Sequence, residues 1–162
     1  MTIRSATDED WPRIWPIFDT TVRAGETYAF PMDLTSGSAQ GWWMEQPPGH
    51  TVVLEEGGRT LGTAKMGPNR PGHGDHIGTA SFMVAPEARG RGVGRALAEY
   101  VVQWHRDEGY RGIQFNAVVE TNVAAVRLWQ DLGFQIVGTV PGAFRSPEHG
   151  YVGMHVMFLP LA

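Results

Sequence analysis

The chain has no cysteine, which excludes a disulfide framework, a thiolate nucleophile and a zinc site built on thiolates. Catalysis must use other groups. It has no run approaching the ~20 apolar residues of a membrane span, and its opening Met-Thr-Ile-Arg-Ser-Ala-Thr-Asp lacks the cationic stretch and apolar core of a secretion signal. Positive charge is not in excess either. Thirteen Lys and Arg against seventeen Asp and Glu leave a formal net charge of −4, which argues against nucleic acid or an anionic membrane as partner. With 162 residues and neither repeat nor linker, residues 1–162 read as one domain able to bury its core without a staple. The expectation is a soluble, cytoplasmic protein with a small-molecule partner.

What is present is an orderly alternation of strand and helix patterns. Ile3-Arg4 begins a short strand, and Thr7-Asp8-Glu9-Asp10 caps a helix whose Trp11, Ile14, Trp15 and Phe18 recur at helical spacing. Gly25 and Pro31 interrupt the next stretch, and Asp33 or Ser36 starts a second helix through Trp42, Trp43 and Met44, closed by Pro47-Pro48-Gly49. Thr51 to Glu55 and Thr60 to Met66 form a hairpin about the turn 56–59. A Gly- and Pro-rich loop, 67–74, leads to a strand from His76 to Val84 and a helix from Gly92 to about Asp107. Ile113 to Val118 is a strand, and Thr121-Asn122 precedes a helix with Val123, Val126, Leu128 and Trp129 on its apolar face, ending at Gly133. Phe134 to Val140 and Tyr151 to Leu159 read as closing strands around a loop, 141–150. The pattern predicts an α/β (α+β) domain with a central mixed sheet.

The most informative stretch is Val84-Ala-Pro-Glu-Ala-Arg89-Gly90-Arg91-Gly92-Val93-Gly94-Arg95, a strand end, a proline break and three alternating glycines that open into a helix. Glycines let the backbone come close to a ligand, and the helix start offers unpaired N–H groups with a favourable dipole. Arg89, Arg91 and Arg95 add positive charge. A pyrophosphate fits such a turn. The turn lacks the lysine and hydroxyl of a nucleoside triphosphate loop, and it lacks a Rossmann context.

Arg89-Gly-Arg-Gly92-Val-Gly94 resembles the Arg/Gln-x-x-Gly-x-Gly/Ala signature of the GCN5-related N-acetyltransferases, which move acetyl from acetyl-CoA to an amine. Asn122-Val-Ala-Ala125-Val-Arg-Leu128-Trp129-Gln-Asp-Leu-Gly133-Phe134 resembles that family's second block, at its usual distance downstream. The resemblance implies a mostly antiparallel twisted sheet of about seven strands flanked by about four helices, splayed between the fourth and fifth strands. It implies acetyl-CoA as cofactor, held by Phe82, Met83 and Val84, by the turn from Arg89 to Arg95, and by Asn122, Ala125, Leu128 and Trp129. The backbone N–H near Val84 would face the developing oxyanion, and Asn122 would bond the pantetheine arm or the strand beside it. Where the family most often has tyrosine this chain has Trp129, which can donate a hydrogen bond to sulfur or simply pack over the cofactor's arm, but cannot release a proton.

For the acceptor, His76, Glu120 and Glu26 are candidate bases, with Glu26 and Tyr28 ranked as substrate contacts. Asn116 and Thr79 lie on strands that resemble those of the fungal acetyltransferases of proline analogues such as azetidine-2-carboxylate, where asparagines hold the acceptor. Asn116 reads equally as a core amide bridging strands. Phe30, Trp42, Trp43, Phe144 and Tyr151 could wall a small pocket, and Arg145 could pair with an acceptor carboxylate. The neighbouring strand is a candidate homodimer surface. The favoured activity is N-acetylation of a small amine, an amino acid or analogue; a non-catalytic acyl-CoA-binding module and a protein acetyltransferase are the alternatives.

Overall fold

The computed structural model describes residues 1–161. The elements follow in the order β1 (Thr2–Ser5), α1 (Trp11–Ala24), α2 (Ser36–Trp43), β2 (His50–Glu56), β3 (Arg59–Pro68), β4 (Ile77–Val84), α3 (Val93–Asp107), β5 (Gly112–Val119), α4 (Val123–Asp131), β6 (Gln135–Ser146) and β7 (Gly150–Pro160), with three short 3-10 turns between them. The strands make one seven-stranded sheet in the order β1-β2-β3-β4-β5-β7-β6. Every adjacent pair is antiparallel except β4 and β5.

That parallel pair is the structural event on which the site depends. β4 and β5 are in register only at Ile77↔Gly112 and Gly78↔Ile113, after which they part. Beyond Gly78 each strand has a free edge facing the other. The hydrophobic core divides at the same place. A larger cluster joins α1, α2 and α3 to β2, β3 and β4, and a smaller one joins Ile113, Phe115, Trp129, Phe134, Met157 and Leu159.

The alternation of each strand assigns residues to faces. Gly62 on β3 faces α3, because a Cβ there would meet Val93 Cγ1 at 2.7 Å. Only glycine lets the start of α3 approach that closely. Thr63, one residue on, faces α2 and accepts the Trp43 indole N–H at 3.0 Å. On β4 the Phe82 ring packs 4.9 Å from Trp129 of α4, so Phe82 and Val84 share the face of α3 and α4, while Thr79 and Ser81 point to the other.

Several local expectations are corrected. The stretch 141–150 is not a loop, since β6 runs on to Ser146. The register moves from Val140↔Met154 to Phe144↔Val152, so β6 spends four steps where β7 spends two. This bulge absorbs Pro141 and Gly142, whose φ is +63°, without ending the strand. Val123 is 52% exposed, off the apolar face it was assigned to. The first helix begins at Trp11, after a 3-10 turn over Asp8–Asp10. Buried Asp10 takes the Arg4 guanidinium at 2.8 and 2.9 Å, Arg13 at 2.9 Å and the Thr7 N–H at 2.8 Å. The Arg4 hydrogen bonds hold its carboxyl well below the usual range.

Candidate active site

The parting of β4 from β5 opens a cavity of about 770 Å³, lined by Thr79 to Val84 on one side and Phe115 to Val119 on the other, with Arg89, Gly94, Asn122, Ala125, Leu128 and Trp129 above. Strand geometry decides which backbone groups look into it. Ala85 donates its N–H to Leu61 of β3 at 2.8 Å, so the N–H of Val84 turns the opposite way, toward the opening. Phe82 lies one pleat earlier on the same side. Its N–H donates to the Tyr28 hydroxyl at 2.8 Å, and that hydroxyl donates back to the Phe82 carbonyl at 2.6 Å. Burial pushes the Tyr28 phenol up to about 12, so it stays protonated at neutral pH.

The glycine turn takes the shape its sequence demands. Gly90 and Gly92 have φ of +78° and +81°, and a Cβ on either would point into open space. These left-handed steps carry the chain from Arg89 into α3, whose first intrahelical bond is Ala96 N–H to the Gly92 carbonyl. The N–H groups of Val93, Gly94 and Arg95 therefore have no partner within their own helix. Arg91 pairs with Glu56, and Arg95 with Asp131 at 2.9 Å. Arg89, which makes no ion pair among the described residues, lines the cavity. The local charge is therefore smaller than three arginines suggest, and the N–H groups of the helix start carry more of the anion binding.

A second cavity, of about 1170 Å³, lies against the same opening and is lined by Glu45 to His50, Lys65 to Gly72, His76 and Tyr110, among others. Thr79, Ala80, Ser81 and Asn116 line both. The two spaces meet across the parted strands.

A family model described as Acetyltransferase (GNAT) family matches residues 7–134. The chain belongs to that family. A solved GCN5-related N-acetyltransferase from Kribbella flavida superposes with a TM-score of 0.95 at 56% identity, covering 99% of this chain and 97% of that one. The fission-yeast N-acetyltransferase aca1, from Schizosaccharomyces pombe, is 28% identical over 151 residues, 83% of this chain and 72% of that protein. An L-methionine sulfoximine/L-methionine sulfone acetyltransferase of Pseudomonas aeruginosa is 31% identical over 149 residues, 86% of this chain and 83% of that enzyme. The chain is thus an N-acetyltransferase, its cofactor is acetyl-CoA, and solved structures of the same fold hold that cofactor.

The GNAT cofactor fits what this chain presents. Gly90 and Gly92, at left-handed φ that glycine permits, lead to the unpaired N–H groups of 93–95, suited to a pyrophosphate. Phe82, Met83, Val84, Ala125, Leu128 and Trp129 supply an apolar wall for an acyl-bearing arm. Trp129 is 8% exposed and packs on Phe82, Phe115 and Phe134 with centroids at 4.9, 4.7 and 6.0 Å. Asn122 lines the first cavity and also caps α4, its Oδ1 accepting the Ala125 N–H at 3.4 Å, which leaves its Nδ2 to donate.

Several acceptor-side expectations change. Glu26 lines the first cavity, but its carboxylate takes the Ser146 hydroxyl at 2.7 Å and the Glu148 N–H at 3.3 Å, tying the end of α1 to the β6–β7 turn. Glu120 takes the Gly153 N–H at 2.6 Å and lines neither cavity. Phe144 is buried against Val119 and Val152, and Arg145 is exposed on β6 opposite Tyr151, itself 74% exposed. None of the three lines either of these cavities. Phe30 packs on Phe18, Tyr28 and Trp42, Trp43 is core, and Trp42 is 47% exposed. His76 stands just before β4, exposed in the second cavity. Asn116 is exposed too, so it is no core amide. It donates to Asn69 Oδ1 at 2.6 Å and accepts from Gln114 at 2.9 Å. Asn69 was not anticipated; the signal was an amide and a cation side by side, Asn69-Arg70, inside a loop otherwise built of Gly and Pro.

Proposed function

We propose that this enzyme acetylates the amine of a small molecule, an amino acid or amino-acid analogue, within one complex that holds donor and acceptor on opposite sides of the opening between β4 and β5. The observation that carries this reading is the meeting of two cavities at Thr79, Ala80, Ser81 and Asn116. An acceptor entering from the second cavity is brought to the donor without crossing solvent, and such positioning lowers the barrier by removing the entropy of encounter. The Pseudomonas relative, named for small amino-acid analogues, supports the same acceptor class.

Acetyl-CoA supplies the activated acetyl group. The Val84 N–H, aimed into the opening, is the donor for the charge that develops on the acyl oxygen, where a preorganised group contributes about 3 kcal/mol. Asn116 and Thr79, on facing strands, orient the acceptor amine. The amine's proton leaves to water in the second cavity, since His76 precedes β4 and stands about 26 Å along the strand from Val84, too far to take it directly. Trp129 closes the apolar wall, and the thiolate, a fairly good leaving group, needs no dedicated acid from this chain.

A thiol-release assay with acetyl-CoA over amino acids, proline analogues, polyamines, aminoglycosides and peptides tests the reading. Turnover is expected with amino acids or their analogues. Turnover confined to peptides would replace it with protein acetylation.

A further inference from the structure

Lys65 is the one lysine in the 162 residues, and β3 carries it to the acceptor-side cavity. Its side chain is 21% exposed. The ammonium donates to the Trp42 carbonyl at 2.7 Å, lies 3.5 Å from the Glu45 carboxylate, and stands 5.8 and 5.7 Å from the ring centroids of Phe30 and Trp43. A lysine normally spends rotamer freedom on each contact it makes. Here the freedom is already spent, so a ligand that bonds the ammonium meets a fixed charge. Across the β3–β4 ladder Lys65 stands opposite Ser81, a residue common to both cavities. The charge therefore lies on the acceptor side, one strand from the opening.

The ion pair with Glu45 does not by itself account for a lysine there. Glu45 is 39% exposed, and a pair of that kind contributes little to stability. An ammonium has three donors, and the Trp42 carbonyl takes one of them while Glu45 stands 3.5 Å away. The other strong cation on the cavity, Arg70, is exposed and bonds the carbonyl of its neighbour Asn69 at 3.3 Å. Arg145, which the sequence offered for this task, is on β6 and lines neither cavity.

We propose that Lys65 recognises an anionic group on the acceptor, a carboxylate carried by the same small molecule as the reacting amine, and thereby selects amino-acid-like acceptors over plain amines. This rests on the small-molecule reading above. The aromatic surroundings of Phe30 and Trp43 keep the ammonium partly desolvated, which strengthens a charge-assisted hydrogen bond.

The test compares α-amino acids with their carboxamides in wild-type enzyme, Lys65→Met and Arg70→Met, with acetyl-CoA affinity measured by calorimetry. In Lys65→Met the KM for the amino acid is expected to rise about ten- to a hundredfold, the loss of one hydrogen bond to a charge. kcat, the KM of the carboxamide and the acetyl-CoA affinity should hold. Protein labelled with 15N-lysine gives one Nζ resonance, independent of turnover and of any variant. That resonance is expected to shift with the amino acid and stay in place with the carboxamide. Equal KM changes for acid and amide, an unmoved Nζ resonance, or selectivity lost in Arg70→Met but kept in Lys65→Met would each overturn the assignment. Wild-type turnover of plain amines and amides as good as that of amino acids removes the role of Lys65 and leaves small-molecule acetylation standing. Turnover of no small amine removes the underlying reading itself.

Discussion

Tyr28 gives Phe82 the two hydrogen bonds that a paired β5 would have given it. Its hydroxyl accepts the N–H and donates to the C=O of a residue whose ladder partner has parted from it. A backbone group left unpaired in an apolar space is costly. Tyr28→Phe removes one oxygen and orphans both groups, and is expected to lower unfolding free energy by about 1–3 kcal/mol, read by urea denaturation. Unchanged stability would show that water already satisfies Phe82. At the same scale the arginines behave less uniformly than their spacing suggests. Arg91 and Arg95 are spent on Glu56 and Asp131, and Arg89 alone faces the cavity. Such pairings were illegible in the sequence because Glu56 and Asp131 lie 35 and 36 residues from their partners.

Among the elements, the start of α3 was the most legible. Its glycines can be read one by one, since left-handed φ at Gly90 and Gly92 is what glycine permits. Gly92→Asp adds strain at φ of +81° and a carboxylate at the anion site. It is expected to weaken acetyl-CoA binding by about a hundredfold or more while the far-UV spectrum is retained. Gly92→Ala, carrying the strain without the charge, should weaken it less. Equal loss in both would assign the effect to backbone strain alone. The β6 element was the least legible. Pro141 and Gly142 are turn residues by chemistry, and only pairing with β7 reveals that they form a bulge inside a strand twelve residues long. Hairpin β2–β3 was read correctly because its Gly57-Gly58 turn, with φ of +58° and +77°, is a local property. Pairing across the sheet is not local, and Phe144 was accordingly taken for a pocket wall when it packs on Val119 and Val152.

Over the whole molecule, the arrangement follows from a sheet that is continuous at one end of β4 and β5 and open at the other. Two hydrophobic clusters, one on each half, hold the halves apart, and Phe82 packs against both. The order of elements predicted only a central mixed sheet. The splay was anticipated through the resemblance carried by the two sequence blocks, because the parting of two strands leaves no periodic signature of its own. The second cavity was not anticipated. It is assembled from the α2–β2 loop, the β3–β4 loop and the end of α3, which lie far apart in the chain. It shares Thr79, Ala80, Ser81 and Asn116 with the cavity between β4 and β5, and the proposed function rests on that shared wall.

The central claim is that acetyl-CoA occupies the opening between β4 and β5 with its pyrophosphate on the start of α3. Residue-resolved amide hydrogen exchange, with and without saturating acetyl-CoA, tests it most directly. The N–H groups of Val84, Val93, Gly94 and Arg95 are predicted to exchange markedly more slowly in the complex, while those of Asn69 and Arg70 on the acceptor side keep their rates. Exchange unaltered at Val84 and 93–95, or protection confined to the residues around Asn69 and His76, would contradict the account.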